Sequence, residues 1–182
     1  MSIVLSVSSS RADVGILAPV WRLLAAEPAV KLHIFLTGAH VSDAALAADS
    51  VPSGAEVHVG GADLAGQAAS QTAVAMPEIA AAMVRVIDQV APDRVLVIGD
   101  RLDMLPAAMA TLAYNLPLIH LHGGESSEGA VDERIRHAIS KLAHLHCAAT
   151  VDAATRLSKM GEEPWRIHVT GAPGLDSAAR YR

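Results

Sequence analysis

The sequence predicts a doubly wound α/β domain built on a parallel sheet. Three observations lead there. Short apolar runs alternate with longer helical stretches, most runs are continuously apolar, and polar or glycine-rich clusters follow several of them. Continuous apolarity marks strands covered on both faces, as in a sheet with crossover helices.

In chain order, IVLSVS (3–8) is the first strand, and a helix over 13–26 follows the polar SSSRAD. LHIFLTG (32–38) is the second strand. The stretch 49–70 is the most loop-like, with EVHVG (56–60) as one weak edge strand between flexible connections. Helix 70–90 leads into RVLVIGD (94–100), and helix 102–114 into LPLIHLHG (116–123). Helix 132–143, strand HLHCAAT (144–150), helix 152–160 and strand RIHVTGA (166–172) complete the series. Each helix is opened or closed by polar, glycine or proline residues.

With 182 residues, 52% hydrophobic and 18% charged, the chain has enough apolar side chains for one sizeable core, and a single domain over 1–182 is expected. Fourteen Lys+Arg against 19 Asp+Glu give a net charge of -5 with no basic cluster, which argues against nucleic acid or an anionic membrane as partner. The start MSIVLSVSSSRADVG lacks a basic region and a long apolar run, so it does not read as a signal peptide, and no stretch reaches membrane-spanning length. One cysteine, Cys147, excludes a disulfide framework and any multi-cysteine zinc site. A cytoplasmic location is the expectation.

In an open α/β sheet, ligands bind outside the carboxyl ends of the strands. SSSRADVG, GDRLD and HGGESSEG occupy such ends. Asp13 reads equally well as a helix cap, and Arg11 with the helix N-terminus reads as an anion or sugar contact. Neither GxGxxG nor GxxxxGK[ST] is present, so this is not a phosphate loop. Asp100, ending a buried strand, needs a partner; Arg101 either supplies it or holds substrate. His120 and His122, two apart on a strand, are expected on one face, and Gly123-Gly124 predicts a tight turn or a close approach. On the next helix, Asp132, Arg136 and Ser140 form one i, i+4 row and Glu133, His137 and Lys141 another, which ordinary salt bridges would partly explain. A metal site is the rival reading of this cluster, but HExxH and comparable ligand spacings are absent, so no metal or other cofactor is expected.

These residues carry a resemblance. HLHGGESSEGAVDERIRHAISKLAHLHCAAT, with SSSRADVGILAPV, TGAH (37–40), GDRLDMLPAAMA (99–110) and MGEEPWRIHVTGAPGLD (160–176), resembles the amino-terminal half of the hydrolysing UDP-N-acetylglucosamine 2-epimerases, in the branch serving sialic and related nonulosonic acids. The resemblance implies one Rossmann-like half of a GT-B-type enzyme with its active site between two such halves. It also implies loss of UDP across C1 and C2 of the sugar, then hydration of the 2-acetamidoglucal to release N-acetylmannosamine or a 6-deoxy diamino analogue. Such a reaction needs a base, a charge partner for the diphosphate and a group that guides water. Mutual repulsion among clustered carboxylates is expected to separate their pKa values.

By position, Asp100 and Glu125 match the family's catalytic carboxylates, Asp132 and Glu133 its acidic pair, and His137 the second member of its Arg-His pair. Arg11, His40, Arg101 and His122 match substrate-cleft positions. Asp103 stands where the family usually has glutamate, and the stretch after TGAH looks shortened. The carboxyl-terminal nucleotide-binding half is absent from these 182 residues. The expected partners are therefore a UDP-sugar and either a separate carboxyl-terminal half or a second copy of the chain. A sugar-nucleotide binding module without turnover and a metal-assisted hydrolase are the alternative readings.

Overall fold

A computed structural model describes residues 1–43, 45–127 and 131–179. The elements run β1 (Ser2–Ser8), α1 (Arg11–Ala26), β2 (Val30–Leu36), α2 (Ala39–Ser42), α3 (Ala45–Ala48), β3 (Glu56–Val59), α4 (Ala69–Val90), β4 (Arg94–Ile98) and α5 (Met104–Ala110). They continue with β5 (Leu118–Leu121), α6 (Val131–Leu142), β6 (Leu145–Ala148), α7 (Val151–Lys159), β7 (Ile167–Val169) and α8 (Gly174–Ala179), with short 3-10 turns at Thr111–Tyr114 and Pro164–Arg166.

Seven strands form one sheet in the order β3-β2-β1-β4-β5-β6-β7, and every neighbouring pair is parallel. The expected doubly wound sheet is therefore present. Its order reverses between β1 and β4, which opens the ligand crevice at their carboxyl ends. The buried side chains Leu5, Val7, Ile34, Val95 and Val97 come from the central strands, and Leu17, Trp21, Ile79, Met83 and Ile139 come from helices packed against the sheet. Trp21 is fully buried, and its indole N–H donates to Ser6 Oγ at 2.8 Å. This satisfies the polar tip that burial would otherwise strand.

Local chemistry sets the element ends near the crevice. Ser10 caps α1, its hydroxyl accepting from the Asp13 N–H at 3.3 Å. Gln71 Oε1 accepts from the Ala68 N–H at 3.0 Å, fixing the start of α4. At the far side, buried Glu162 accepts from Lys141 Nζ at 2.6 Å and lies 3.1 Å from His146 Nε2, tying α6 and β6 to the segment before β7.

The structure departs from the sequence reading in two places. The fifth strand ends at Leu121, and His122 adopts φ +60, so the two-residue alternation does not extend from His120 to His122. The single turns α2 and α3 and the terminal helix α8 have no periodicity long enough to show in sequence. The Gly123-Gly124 turn is as expected: Gly124 has φ +78, and a Cβ there would collide with the Ala153 carbonyl oxygen and meet Leu157 Cγ at 2.8 Å. No helix among the described residues is long and apolar enough to cross a membrane.

Candidate active site

Two polar clusters sit on the rim formed by the carboxyl ends of β1, β4 and β5. The first is built around Arg136, which projects from α6 and is almost fully buried. Its guanidinium donates to Asp100 Oδ2 in a very short contact, to Ser127 Oγ at 3.0 Å, to Glu125 Oε2 at 3.2 Å and to the His122 carbonyl at 2.9 Å. Ser127 Oγ donates onward to Asp100 at 3.2 Å, and the Ser127 N–H donates to Glu133 Oε2 at 2.6 Å. His122 Nδ1 lies 2.7 Å from Glu125 Oε1. A carboxylate only accepts, so that nitrogen carries the proton and the Glu125 headgroup is held from both sides.

This overturns two expectations. Arg101 is not the partner of Asp100, and Arg136 does not bridge to Asp132 one helical turn back, because its fork spans the two rim carboxylates instead. Asp100 and Glu125 therefore do not confront one another bare; a buried cation with five donors lies between them. The second row behaves as helix spacing suggests: His137 Nε2 lies 3.4 Å from Glu133 Oε1, close enough to pair but not aligned as a hydrogen bond.

The second cluster joins the start of α1 to the turn after β4. Asp13 Oδ2 accepts from the Ser9 N–H at 2.8 Å and from Ser9 Oγ at 2.9 Å, and burial pushes its pKa up against these bonds. Asp13 thus fastens its own helix start, the structural role expected of a residue at that position. Arg101 donates to Ser9 Oγ and to Asp103 Oδ2, both at 3.2 Å. Burial works against the Arg101 charge, but Asp103, Asp13 and Asp132 outweigh it and raise the guanidinium pKa. Arg101, Asp103 and Asp132 line one cavity of about 260 Å³ with Leu64, Ala65, Leu102 and Thr72, so the acidic start of α6 faces this cluster.

Gly38, with φ +57, lets the turn after β2 approach: a Cβ there would lie 2.6 Å from Asp103 Oδ2. His40 is fully buried with Nε2 3.1 Å from Ser8 Oγ, and burial lowers its pKa. Arg11, the first residue of α1, is exposed and makes no hydrogen bond among the described residues. The structure thus brings together Asp100, Glu125, His122 and Glu133 around Arg136, sets Asp132 beside Arg101, and leaves Arg11 and His40 outside both contact networks.

Two residues absent from the sequence-based site reading hold it in place. Arg136 read as a helix salt-bridge residue, and no sequence signal separates that from its actual reach. His120 is fully buried, with Nε2 2.8 Å from the Gly99 carbonyl and Nδ1 3.1 Å from Ser140 Oγ. The carbonyl fixes Nε2 as the protonated nitrogen and leaves Nδ1 to accept from the Ser140 hydroxyl. Desolvation lowers the His120 pKa from 6.5 to about 3, so it stays neutral while anchoring the residue before Asp100.

A doubly wound sheet with a buried guanidinium between two carboxylates beside its switch point defines a Rossmann-like domain with a polar ligand crevice. The sequence model described as UDP-N-acetylglucosamine 2-epimerase matches residues 22–182, and the chain belongs to that family. It is 39% identical to a UDP-N,N'-diacetylbacillosamine 2-epimerase (hydrolyzing) of Legionella pneumophila, over 98% of this chain and 48% of the relative. It is 34% identical to a UDP-N-acetylglucosamine 2-epimerase of Neisseria meningitidis, over 98% of this chain and 47% of the relative. A crystal structure of UDP-GlcNAc 2-epimerase from Neisseria meningitidis, bound to UDP-GlcNAc, superposes with a TM-score of 0.82 at 23% identity, over 98% of this chain and 49% of that one. The chain spans about half the length of the curated relatives it matches.

Proposed function

We infer that residues 1–182 form a single Rossmann-like domain that supplies one wall of a hydrolysing UDP-sugar 2-epimerase cleft, the other wall coming from a carboxyl-terminal nucleotide-binding domain. The observation that carries this reading is the pairing of Asp100 and Glu125 through Arg136 beside the crevice. The names of the aligned relatives support a UDP-linked acetamido sugar as substrate.

In the proposed reaction a base removes the C2 proton while the C1–O bond to UDP breaks, and water then adds at C1 as C2 regains a proton. Asp100 and Glu125 are the proposed proton-transfer groups. Glu125 is the more open of the two and is oriented by His122 and Arg136, as a base requires. Asp132 is assigned to the cavity beside Arg101, and Glu133, which accepts from the Ser127 N–H and lies near His137, to the Arg136 cluster. Arg101 and exposed Arg11 supply cationic contacts for the substrate, and His40 supports the end of β1 through Ser8.

The test is UDP release from UDP-N-acetylglucosamine and from UDP-N,N'-diacetylbacillosamine, by the chain alone and by the chain supplied with the carboxyl-terminal half of the Legionella relative. The chain alone should bind UDP weakly and turn over poorly, and the complemented pair should release UDP. In the pair, Asp100→Asn and Glu125→Gln should each cut turnover roughly 10²- to 10⁴-fold. Undiminished turnover in both variants sinks the catalytic assignment, and robust turnover by the chain alone sinks the incomplete-cleft reading. UDP-sugar binding without release by the pair favours a binding module, and loss of release on chelation favours a metal-assisted hydrolase.

A further inference from the structure

Away from the crevice, at the outer edge of the sheet, parallel register sets His33 of β2 opposite Glu56 of β3, with His58 two residues further along the same strand. The two-residue period places Glu56 and His58 on one face of β3. One donor atom from each of the three residues lies within 4.8 Å of the others. His33 Nδ1 is 3.0 Å from His58 Nε2 and 3.7 Å from Glu56 Oε2. A tetrahedral zinc site with bonds of about 2.0–2.1 Å has donor atoms roughly 3.3 Å apart, so these spacings bracket it.

We propose that His33, Glu56 and His58 form a binding site for a divalent transition metal of the zinc type, independent of the epimerase cleft. Two imidazoles and one carboxylate suit such an ion, whereas magnesium and calcium favour all-oxygen sets. At present the two rings lie nearly in one plane, 19° apart, with the two nitrogens facing at hydrogen-bond distance. Two bare nitrogens would repel, so one carries a proton. Metal binding moves that proton to the outer nitrogen of the same ring, leaving both imidazoles neutral and both inner lone pairs on the ion. Small ring rotations then bring those lone pairs to a common point.

The surroundings favour a three-ligand site with an open side. His33 is buried and fixed by the sheet, whereas Glu56 is exposed at the edge, which leaves room for water or a fourth ligand. Lys31 holds the other Glu56 oxygen at 2.7 Å. That pair is exposed and therefore weak, so the ammonium moderates affinity and a metal can displace it. A bound ion would staple the four-residue edge strand β3 to β2.

The test uses the untagged chain, titrated with zinc against a chromophoric chelator and, in parallel, with cobalt(II) read by its visible absorption. The wild type should bind one equivalent that His58→Asn and Glu56→Gln each weaken at least about tenfold, because each removes one of three protein ligands. His168→Asn, at an exposed histidine on β7, should bind like the wild type. The cobalt absorption should vanish in His58→Asn, and zinc should raise the melting temperature of the wild type and of His168→Asn but not of His58→Asn. Equal zinc binding by wild type and His58→Asn, as when the crevice carboxylates hold the ion, overturns the proposal. So does a wild-type chain that binds none.

Discussion

The two guanidinium groups on the crevice rim face similar carboxylates, but they are placed differently. The Arg136 side chain is 6% exposed, and its two terminal nitrogens donate to Asp100, Glu125, Ser127 and a backbone carbonyl. The Arg101 side chain is 45% exposed, pairs with Asp103, and borders a cavity that also touches Asp132. A buried cation whose terminal nitrogens are taken up fixes geometry, whereas a half-open one keeps donors for a ligand. In the proposed cleft, the first would belong to the scaffold of the site and the second to recognition.

Breaking the inner network should have the largest effect. Arg136→Met leaves two rim carboxylates without their cation and should cost about 3–5 kcal/mol. Arg101→Met should cost under about 1 kcal/mol, in line with exposed pairs. Urea unfolding of both variants checks the contrast, and equal losses would erase it. The same Arg101 variant should weaken UDP-sugar binding by the complemented pair much more than it weakens folding.

Gly124→Ala tests the loop that delivers Glu125. The left-handed backbone alone should cost roughly 1–3 kcal/mol, and the Cβ adds a collision with Ala153. Loss of turnover beyond the loss of stability would sharpen the view that this loop sets the inner cluster; an unchanged melting temperature would contradict the packing.

The third test is acid. The unfolded chain protonates the His120 position below pH 6.5, while the folded chain resists until about 3. The folded state therefore binds fewer protons across that window. Stability is full above pH 6.5 and falls with acid by up to ~1.4 kcal/mol per pH unit from this group. Desolvation lowers the pKa of His33, His40, His58 and His146 as well, and these add to the same direction. Unfolding midpoints between pH 7.5 and 5 should fall, and His120→Gln should flatten the slope. A midpoint that rises with acid would refute the assignment.

The sheet was largely legible in the sequence because parallel strands covered on both faces read as unbroken apolar runs such as RVLVIGD and IVLSVS. The rim was legible for the same reason: charges that interrupt such runs stand at strand ends. What escaped depends on contacts far apart along the chain. Arg136 has an acidic neighbour one helical turn away, yet reaches across to another loop, and nothing local distinguishes the two. His122 reads as a strand residue until its positive φ is seen. The His33–Glu56–His58 cluster depends on the register between two strands, which neither strand encodes alone.

The all-parallel order has a consequence for how the molecule comes into being. No two neighbouring strands can zip together from a tight hairpin, since each pair waits for an intervening crossover. The seam between β1 and β4, whose carboxyl end opens into the crevice, pairs Val4 with Arg94 far along the chain. On a ribosome, β1 and β2 have already emerged before β4 exists, so one flank of β1 stays unpaired through the synthesis of α4. Loop closure of that length slows the pairing. The place where the ligand crevice opens is therefore also where the nascent chain longest exposes an unmet strand, and where a chaperone or a misplaced neighbour has its best opportunity to bind.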